Sequence, residues 1–351
     1  MKLSKIVLSS LLVLSAATVA VPVATQFTGD IAIVQAQEEA VTMRRYYTAA
    51  HGDKAFTAVT VLLQGDKLVD AVIDEFQFVA KDGGFTGVPN SDSDFGAGYA
   101  EGQVLVGKLD NDEGYSKLMA EKAGSTVTIG ENFKAIIEAT KGKTADEILA
   151  LVEEVDGLGE DGNVSDVVSG ATLADTSGYL KAIAEAITEG YEFTGVEANA
   201  DNLVLKQEIA APHGTKSFAL VSAAVDGDKV VASAIDEFQI VEAGGDFTGV
   251  PNSDADFGKG IAEGSLLISK IANNEGYSKL MTDKASSTVS YLDNLNAVAA
   301  YANGKTIEEL KAGIEEVAGL GEDGNVSDVV SGATLADTAN YLQAIAEVAE
   351  K

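Results

Sequence analysis

Twenty residues from Gly157 to Thr176 read GLGEDGNVSDVVSGATLADT, and the identical twenty return from Gly319 to Thr338. Within each block a short run, Ser169-Gly170-Ala171-Thr172 or Ser331-Gly332-Ala333-Thr334, combines hydroxyls with residues too small to shield the backbone. Exposed N–H groups beside a helix start can receive a phosphate without arginine, because the aligned peptide dipoles place positive charge there. Gly170 and Gly332 would let the backbone approach such an anion closely. A second reading stands beside this one: a capped turn entering the last helix, with Asp175 or Thr176 as N-cap. The rest of the two copies has drifted, so the identity of this block marks either a shared chemical demand or a recent duplication. Its content of hydroxyls and small residues favours the demand.

What the chain lacks narrows the chemistry further. It has no cysteine, which removes disulfides, thiolate metal sites, iron–sulfur clusters and a Cys nucleophile. Two histidines are too few for a His-based metal cage. His51 and His213 read as structural, since neither has a partner visible in the sequence. Arginine occurs only at 44 and 45, so no bidentate arginine clamp is available along the body of the chain. An anionic ligand must rely on backbone N–H groups, hydroxyls or lysine. Asp110-Asn111-Asp112 hints at calcium, but the counterpart Ala272-Asn273-Asn274 loses both carboxylates, and calcium is rejected. With 24 Lys and Arg against 55 Asp and Glu, the net charge is −31, which repels nucleic acid and anionic lipid alike.

The elements that must position these residues come as a duplication. His51-Gly52, Ile73 to Gln77, Phe85 to Asp92 and Glu113 to Met119 all recur 162 positions later. A period that long is a repeated domain rather than a solenoid unit. The copies run over 41–188 and 203–351, with the acidic stretch 189–202 as the expected linker. Each copy reads as α+β, an antiparallel sheet with packed helices. Strands are expected over 55–63 and 68–79, joined by a tight turn at Gly65-Asp66. Helices follow over 113–122, 131–141, 144–156 and 176–188, and the last one repeats over 338–350. Thr144 with Glu147, and Thr306 with Glu309, form capping boxes. Gly157 and Gly319 sit where a left-handed helix stop is expected. An irregular Gly/Asp/Asn loop occupies 81–100.

Asp166-x-x-Ser169-Gly170-Ala171-Thr172 and Asp328-x-x-Ser331-Gly332-Ala333-Thr334 resemble the flavinylation motif of the FMN-binding domain family. In that family an exported, Mg²⁺-requiring flavin transferase cleaves FAD and joins its FMN moiety, through the phosphate, to the threonine hydroxyl. The resemblance implies two covalent FMN groups, on Thr172 and Thr334. Asp166 and Asp328 then match the acidic motif position that helps the transferase, although helix capping explains an aspartate there equally well. Tyr115-x-Lys117-x-Met119-x-x-Lys122-Ala123-Gly124-Ser125 and Tyr277-x-Lys279-x-Met281-x-x-Lys284-Ala285-Ser286-Ser287 are similar to a helix of the two-domain flavinylated lipoproteins of Gram-positive bacteria, which serve extracellular electron transfer. Those lipoproteins carry an acylated cysteine that this chain lacks, which puts surface tethering in doubt. Six aromatic positions coincide between the copies, and most must be core. Tyr115 with Met119, and Tyr277 with Met281, are the chosen flavin-ring contacts. Lys117 and Lys279 are either charge partners of reduced flavin or part of a solvated helix face.

Lys2 and Lys5 ahead of the apolar run from Ile6 to Ala20 make a secretory signal pattern, with cleavage expected after Ala36 and a second candidate at Ala24. An uncleaved anchor is the alternative. The expected product is an exported electron carrier, with no membrane insertion after cleavage. It takes electrons from a membrane donor and passes them to ferric complexes or soluble flavins. Two other classes stay open: a component of an extracellular reductase of a small organic acceptor, and a flavin-free surface repeat protein. Neither a strand-to-helix dinucleotide fingerprint nor a usable arginine supports the reductase.

Overall fold

The computed structural model describes residues 39–159, 162–321 and 324–351. The expected signal segment, 1–36, lies outside the described residues. Gln37–Lys351 form one compact unit. Its first half runs β1 (Glu39–Thr48), β2 (Ala55–Gln64), β3 (Lys67–Ala80), β4 (Gln103–Gly107), α1 (Asp112–Ala123), α2 (Ile129–Thr140), α3 (Ala145–Asp156) and α4 (Thr176–Glu189). The second continues with β5 (Tyr191–Ala198), β6 (Leu203–Ala210), β7 (Ser217–Asp226), β8 (Lys229–Glu242), β9 (Ser265–Ser269), α5 (Asn274–Ala285), α6 (Tyr291–Ala302), α7 (Ile307–Ala318) and α8 (Thr338–Glu350). The fold is α+β: two antiparallel sheets, ordered β4-β3-β2-β1-β5 and β6-β7-β8-β9, with the helices packed against them.

Strand alternation explains how both halves share one interior. Successive side chains of a strand face opposite ways. On β2, Val59, Val61 and Leu63 pack with the helices of their own half, where Leu180 and Ile183 of α4 lie. Phe56 and Ala58 face the other way and join Phe218, Leu220 and Phe238 of the second half. The rings of Phe56 and Phe76 stack at 5.0 Å, and those of Phe218 and Phe238 at 4.9 Å. β2 is buried on both faces, and so reads as an apolar run without strict alternation.

Local signals hold in detail where chemistry is local. Gly65 and Gly227 adopt φ of +62° in their two-residue turns, a conformation that costs other residues energy. Both expected capping boxes form, Thr144 with Glu147 and Thr306 with Glu309. Two expectations are corrected. Gly157 and Gly319 are right-handed, at φ −73° and −80°, because their N–H groups still bond back to Glu153 and Glu315. The left-handed residues come two positions later, at Gly159 and Gly321. The stretch expected as a linker, 189–202, contains β5, which adds to the edge of the first sheet by pairing with β1. Phe193 of β5 is 1% exposed, so the strand is drawn in by burial of its ring as well as by backbone pairing.

Both arginines are spent on this assembly. Arg45 is fully buried and donates to the Leu220 carbonyl at 2.7 Å and the Ser222 hydroxyl at 2.6 Å, tying one half to the other. Arg44 pairs with Glu192 at 2.7 Å.

The duplication is unequal at one buried carboxyl. Asp74 Oδ1 accepts N–H bonds from Glu75 at 2.7 Å and Leu109 at 3.1 Å. Its counterpart Asp236 also accepts from the Tyr47 and Ser269 hydroxyls, whose equivalents beside Asp74 are Ile209 and Gly107, which offer no donor side chain. Burial pushes Asp74 up to about 7. The unfolded group titrates near ~3.9, so folding favours its protonated form. Its stabilising contribution is complete below about pH 4 and is lost as pH rises toward 7. Asp74→Asn keeps the Oδ1 acceptor without the charge. It is expected to stabilise the protein at pH 8 by roughly 1–4 kcal/mol and to flatten the stability slope over that window. Urea unfolding of both proteins at pH 5 and pH 8 is the check, and an unchanged slope would count against a protonated Asp74.

Candidate functional site

Thr172 follows a turn whose shape its neighbours dictate. Val168 and Ala171 are fully buried and anchor the turn, while Gly170 reverses the chain at φ +90°. An L side chain is strained at that φ, which is why glycine stands there. The Thr172 N–H donates to Asn132 Oδ1 at 2.7 Å, and the Thr172 hydroxyl donates to the same oxygen at 3.2 Å. Asn132 is itself fully buried on α2 and donates to the Thr128 carbonyl at 2.8 Å. A buried amide with its bonds satisfied is a rigid mount. Thr334 hangs in the same way from Asn294, at 2.6 Å and 3.1 Å.

The Thr172 side chain opens onto a cleft of about 570 Å³ between α1, the start of α4 and the sheet. Tyr115 and Met119 of α1 form one wall, Leu173 and Ala174 face them, and Ile129 adds apolar surface. Thr334, Tyr277 and Met281 meet in the equivalent cleft of about 440 Å³. There Tyr291 replaces Ile129 as a lining residue, and its hydroxyl reaches Glu237 at 3.1 Å. Both volumes fall in the range of ~300–1,000 Å³ usual for small-molecule sites.

Lys122, Ala123, Gly124 and Ser125 also line the first cleft, and Ala285, Ser286 and Ser287 the second, whereas the remaining motif residues line neither. Asp166 and Asp328 end short 3-10 turns, Val164–Asp166 and Val326–Asp328, whose N-caps are Asn163 and Asn325. Ser169 and Ser331 are exposed. Gly170 and Gly332 shape the turn, and Ala171 and Ala333 are buried beneath it. Lys117 and Lys279 are also exposed and lie outside both linings. The solvated-face reading fits them.

Lys122 lines the first cleft as an exposed cation, and a second, buried cation reaches each cleft. Lys108 is 1% exposed, with Nζ 2.5 Å from Glu75 Oε2 and 4.5 Å from the centre of the Tyr115 ring. Lys270 repeats this with Glu237 at 2.6 Å and Tyr277 at 4.6 Å. Burial pulls the Lys108 ammonium down, but the Glu75 carboxylate and Tyr115 outweigh it and hold the group above its ordinary value. Glu75 is in turn held by the Thr57 hydroxyl at 3.0 Å. Each cleft is therefore backed by a fixed charge pair: Lys108 lines the first, and both Lys270 and Glu237 line the second.

At the other end lies a second polar group. His51 Nδ1 is 2.6 Å from Asp175 Oδ2, and His213 Nδ1 is 2.7 Å from Asp337 Oδ2. His51 and Asp175 both line the Thr172 cleft, and His213 lines the Thr334 cleft. Asp175 and Asp337 hold the N-cap positions of α4 and α8 without capping through their side chains. The carboxylates face the histidines instead. These histidines thus have partners, contrary to the reading from sequence, because each partner lies 124 residues away. His51, Lys108 and Asn132 were all missed as site residues. Each is repeated at the 162-residue offset, and that recurrence was the available signal.

The repeated Asn of the acidic segment also has a structural task. Asn111 Oδ1 accepts from Thr86 N–H at 2.7 Å, and its amide donates back to the Thr86 carbonyl at 2.9 Å. Asn273 and Thr248 repeat both bonds. No family model, curated protein or solved structure matches the chain.

Proposed function

We propose that each cleft holds a flavin mononucleotide joined through its phosphate to Thr172 or Thr334, and that the protein relays electrons outside the membrane. The observation that carries this reading is the cleft itself, formed twice. A motif threonine opens onto an apolar, aromatic-walled space with a buried cation in its lining. The donor set suits that cofactor. Tyr115, Met119 and Leu173 offer flat apolar surface for a ring system. His51, oriented by Asp175, offers its free ring nitrogen to a phosphate oxygen beside Thr172. Lys108 and Lys270 supply positive charge where a ring accepting electrons becomes negative. The bound group supplies reversible electron uptake; the protein orients it, limits its contact with water and balances its charge.

Attachment belongs to an exported, Mg²⁺-dependent transferase. The threonine oxygen forms the new P–O bond, the pyrophosphate bond of FAD breaks, and AMP leaves as the hydroxyl proton passes to a base. The electron donor is a membrane component, and the acceptors are ferric complexes or soluble flavins. The spacing G-x-G-x-x-G occurs at Gly157, Gly159 and Gly162 and again at Gly319, Gly321 and Gly324, but each follows a helix, α3 or α7, rather than the strand a nicotinamide-binding fingerprint requires.

The test is expression with and without export and the transferase. Exported, modified protein is expected to stay yellow after denaturation and to show the mass of two FMN groups. Protein made without the transferase is expected to be colourless and folded. NADH alone is expected not to bleach the flavin, whereas chemically reduced protein passes electrons to ferric complexes. Colourless exported protein of unmodified mass would end the flavin reading, and rapid bleaching by NADH alone would replace the carrier with an autonomous reductase.

A further inference from the structure

The loop that carries each cleft histidine is clamped by the opposite half of the molecule. Asn252, at φ +65°, donates through Nδ2 to the Gly52 carbonyl at 2.8 Å and the Ala55 carbonyl at 2.7 Å. The Phe257 N–H donates to the Asp53 carbonyl at 2.9 Å, and the Phe257 ring packs edge-on against Phe56 at 5.4 Å. The reciprocal clamp is complete. Asn90, at φ +66°, donates to the Gly214 and Ser217 carbonyls at 2.9 Å and 2.8 Å. The Phe95 N–H reaches the Thr215 carbonyl at 2.9 Å.

Each clamp also begins at a cleft. Asn111 ties Thr86 to the start of α1, the helix that carries Tyr115 and Met119, and the same loop then runs to Asn90. The segment rooted beside one cleft therefore ends on the histidine loop of the other. Residues 51–54 are exposed and have little packing to hold them in place. Without the bonds from Asn252 and Phe257 the carbonyls at 52, 53 and 55 would turn to water, and the imidazole would lose its mount.

We infer that Asn252 with Phe257 positions His51 for the Thr172 cleft, and that Asn90 with Phe95 positions His213 for the Thr334 cleft, so that each half completes the other's site. In its functional consequence this rests on the flavin reading above. Asn90 and Asn252 are positioning residues, acting through the loop and the imidazole.

Because the chain has two histidines, ring signals in NMR of the full-length, flavin-free protein report one cleft each, assigned with His51→Gln. Asn252→Gly tolerates the left-handed backbone and removes the side chain with its amide donor. It is expected to shift or broaden the His51 signals and leave those of His213 in place, while Asn90→Gly does the reverse. Asn252→Asp, which removes the donor but keeps a side chain at that φ, serves if the glycine variant does not fold. A second readout uses Thr334→Ala protein, whose flavin sits on Thr172. There Asn252→Gly is expected to lower flavin fluorescence anisotropy, and Asn90→Gly is not. Unchanged histidine signals in both variants, or equal changes in both histidines, would overturn the inference. Cross-specific histidine shifts in a protein that never acquires flavin would keep the clamp and discard the cofactor.

Discussion

Exported protein carrying both Thr172→Ala and Thr334→Ala is expected to contain no covalent flavin, and either change alone is expected to remove half. The prediction follows from where the hydroxyl sits. Each threonine oxygen is presented at the cleft by a turn whose position does not depend on it. The backbone N–H of Thr172 keeps its 2.7 Å bond to Asn132 in the alanine variant. Val168 and Ala171 still anchor the turn from below. Only the exposed γ-methyl and hydroxyl are lost, a change of about 0.5–1.5 kcal/mol at most. The variants are therefore expected to fold, which separates loss of attachment from loss of structure. Serine retains a hydroxyl nucleophile and is expected to keep part of the modification. The measurements are intact mass and visible absorbance after denaturation. Full flavin content in the double alanine variant would move the attachment elsewhere.

The second large effect is on stability. Lys108→Met is expected to cost about 3–5 kcal/mol, because it leaves the Glu75 carboxylate in the interior without its cation. Glu75 is fully buried and Lys108 is 1% exposed, so water cannot substitute for the missing charge. The Thr57 hydroxyl gives Glu75 one neutral bond at 3.0 Å, too little to offset a desolvated charge. Glu75→Gln combined with Lys108→Met removes both charges and is expected to recover most of the loss. The non-additivity of that cycle is the signature of a coupled pair. Lys270 and Glu237 are expected to behave alike, with Tyr291 as an added partner at 3.1 Å. Urea denaturation of the single and double variants checks this, and a Lys108→Met loss below about 1 kcal/mol would mean that the pair is solvated. In flavin-bearing protein the same substitution is expected to lower the reduction potential of the Thr172 site, since positive charge near a ring favours its electron-rich state.

The residues that only need near neighbours were legible from the chain alone. Capping boxes at Thr144 and Thr306, the turn glycines 65 and 227, the helices and the β2–β3 hairpin depend on contacts a few residues apart, whereas β1, β4 and β5, which pair across longer separations, were not legible as strands. The 162-residue offset announced two similar halves, and the unbroken block marked Thr172 and Thr334 before any geometry was known. Composition alone also set aside cysteine chemistry and a histidine metal cage.

The cleft partners were different, because they come from distant parts of the chain. Asp175 reads as a helix N-cap until the fold brings His51 to its carboxylate. Lys108 carries no signal in the sequence beyond its repeat at Lys270 until burial beside Glu75 makes it a fixed cation lining its cleft. The stretch 189–202 reads as a linker because its acidic and glycine-containing composition suits solvent. Yet pairing with β1 and burial of Phe193 make part of it an edge strand. The same limit applies to the two halves. Each copy carries its own strands, helices and threonine turn in local sequence. Their interlock through Arg45, Asn90 and Asn252 exists only in the folded molecule. Sequence spacing encodes which groups recur, whereas the pairing of a carboxylate, a cation or a carbonyl across more than a hundred residues is set by the packing that desolvates them together.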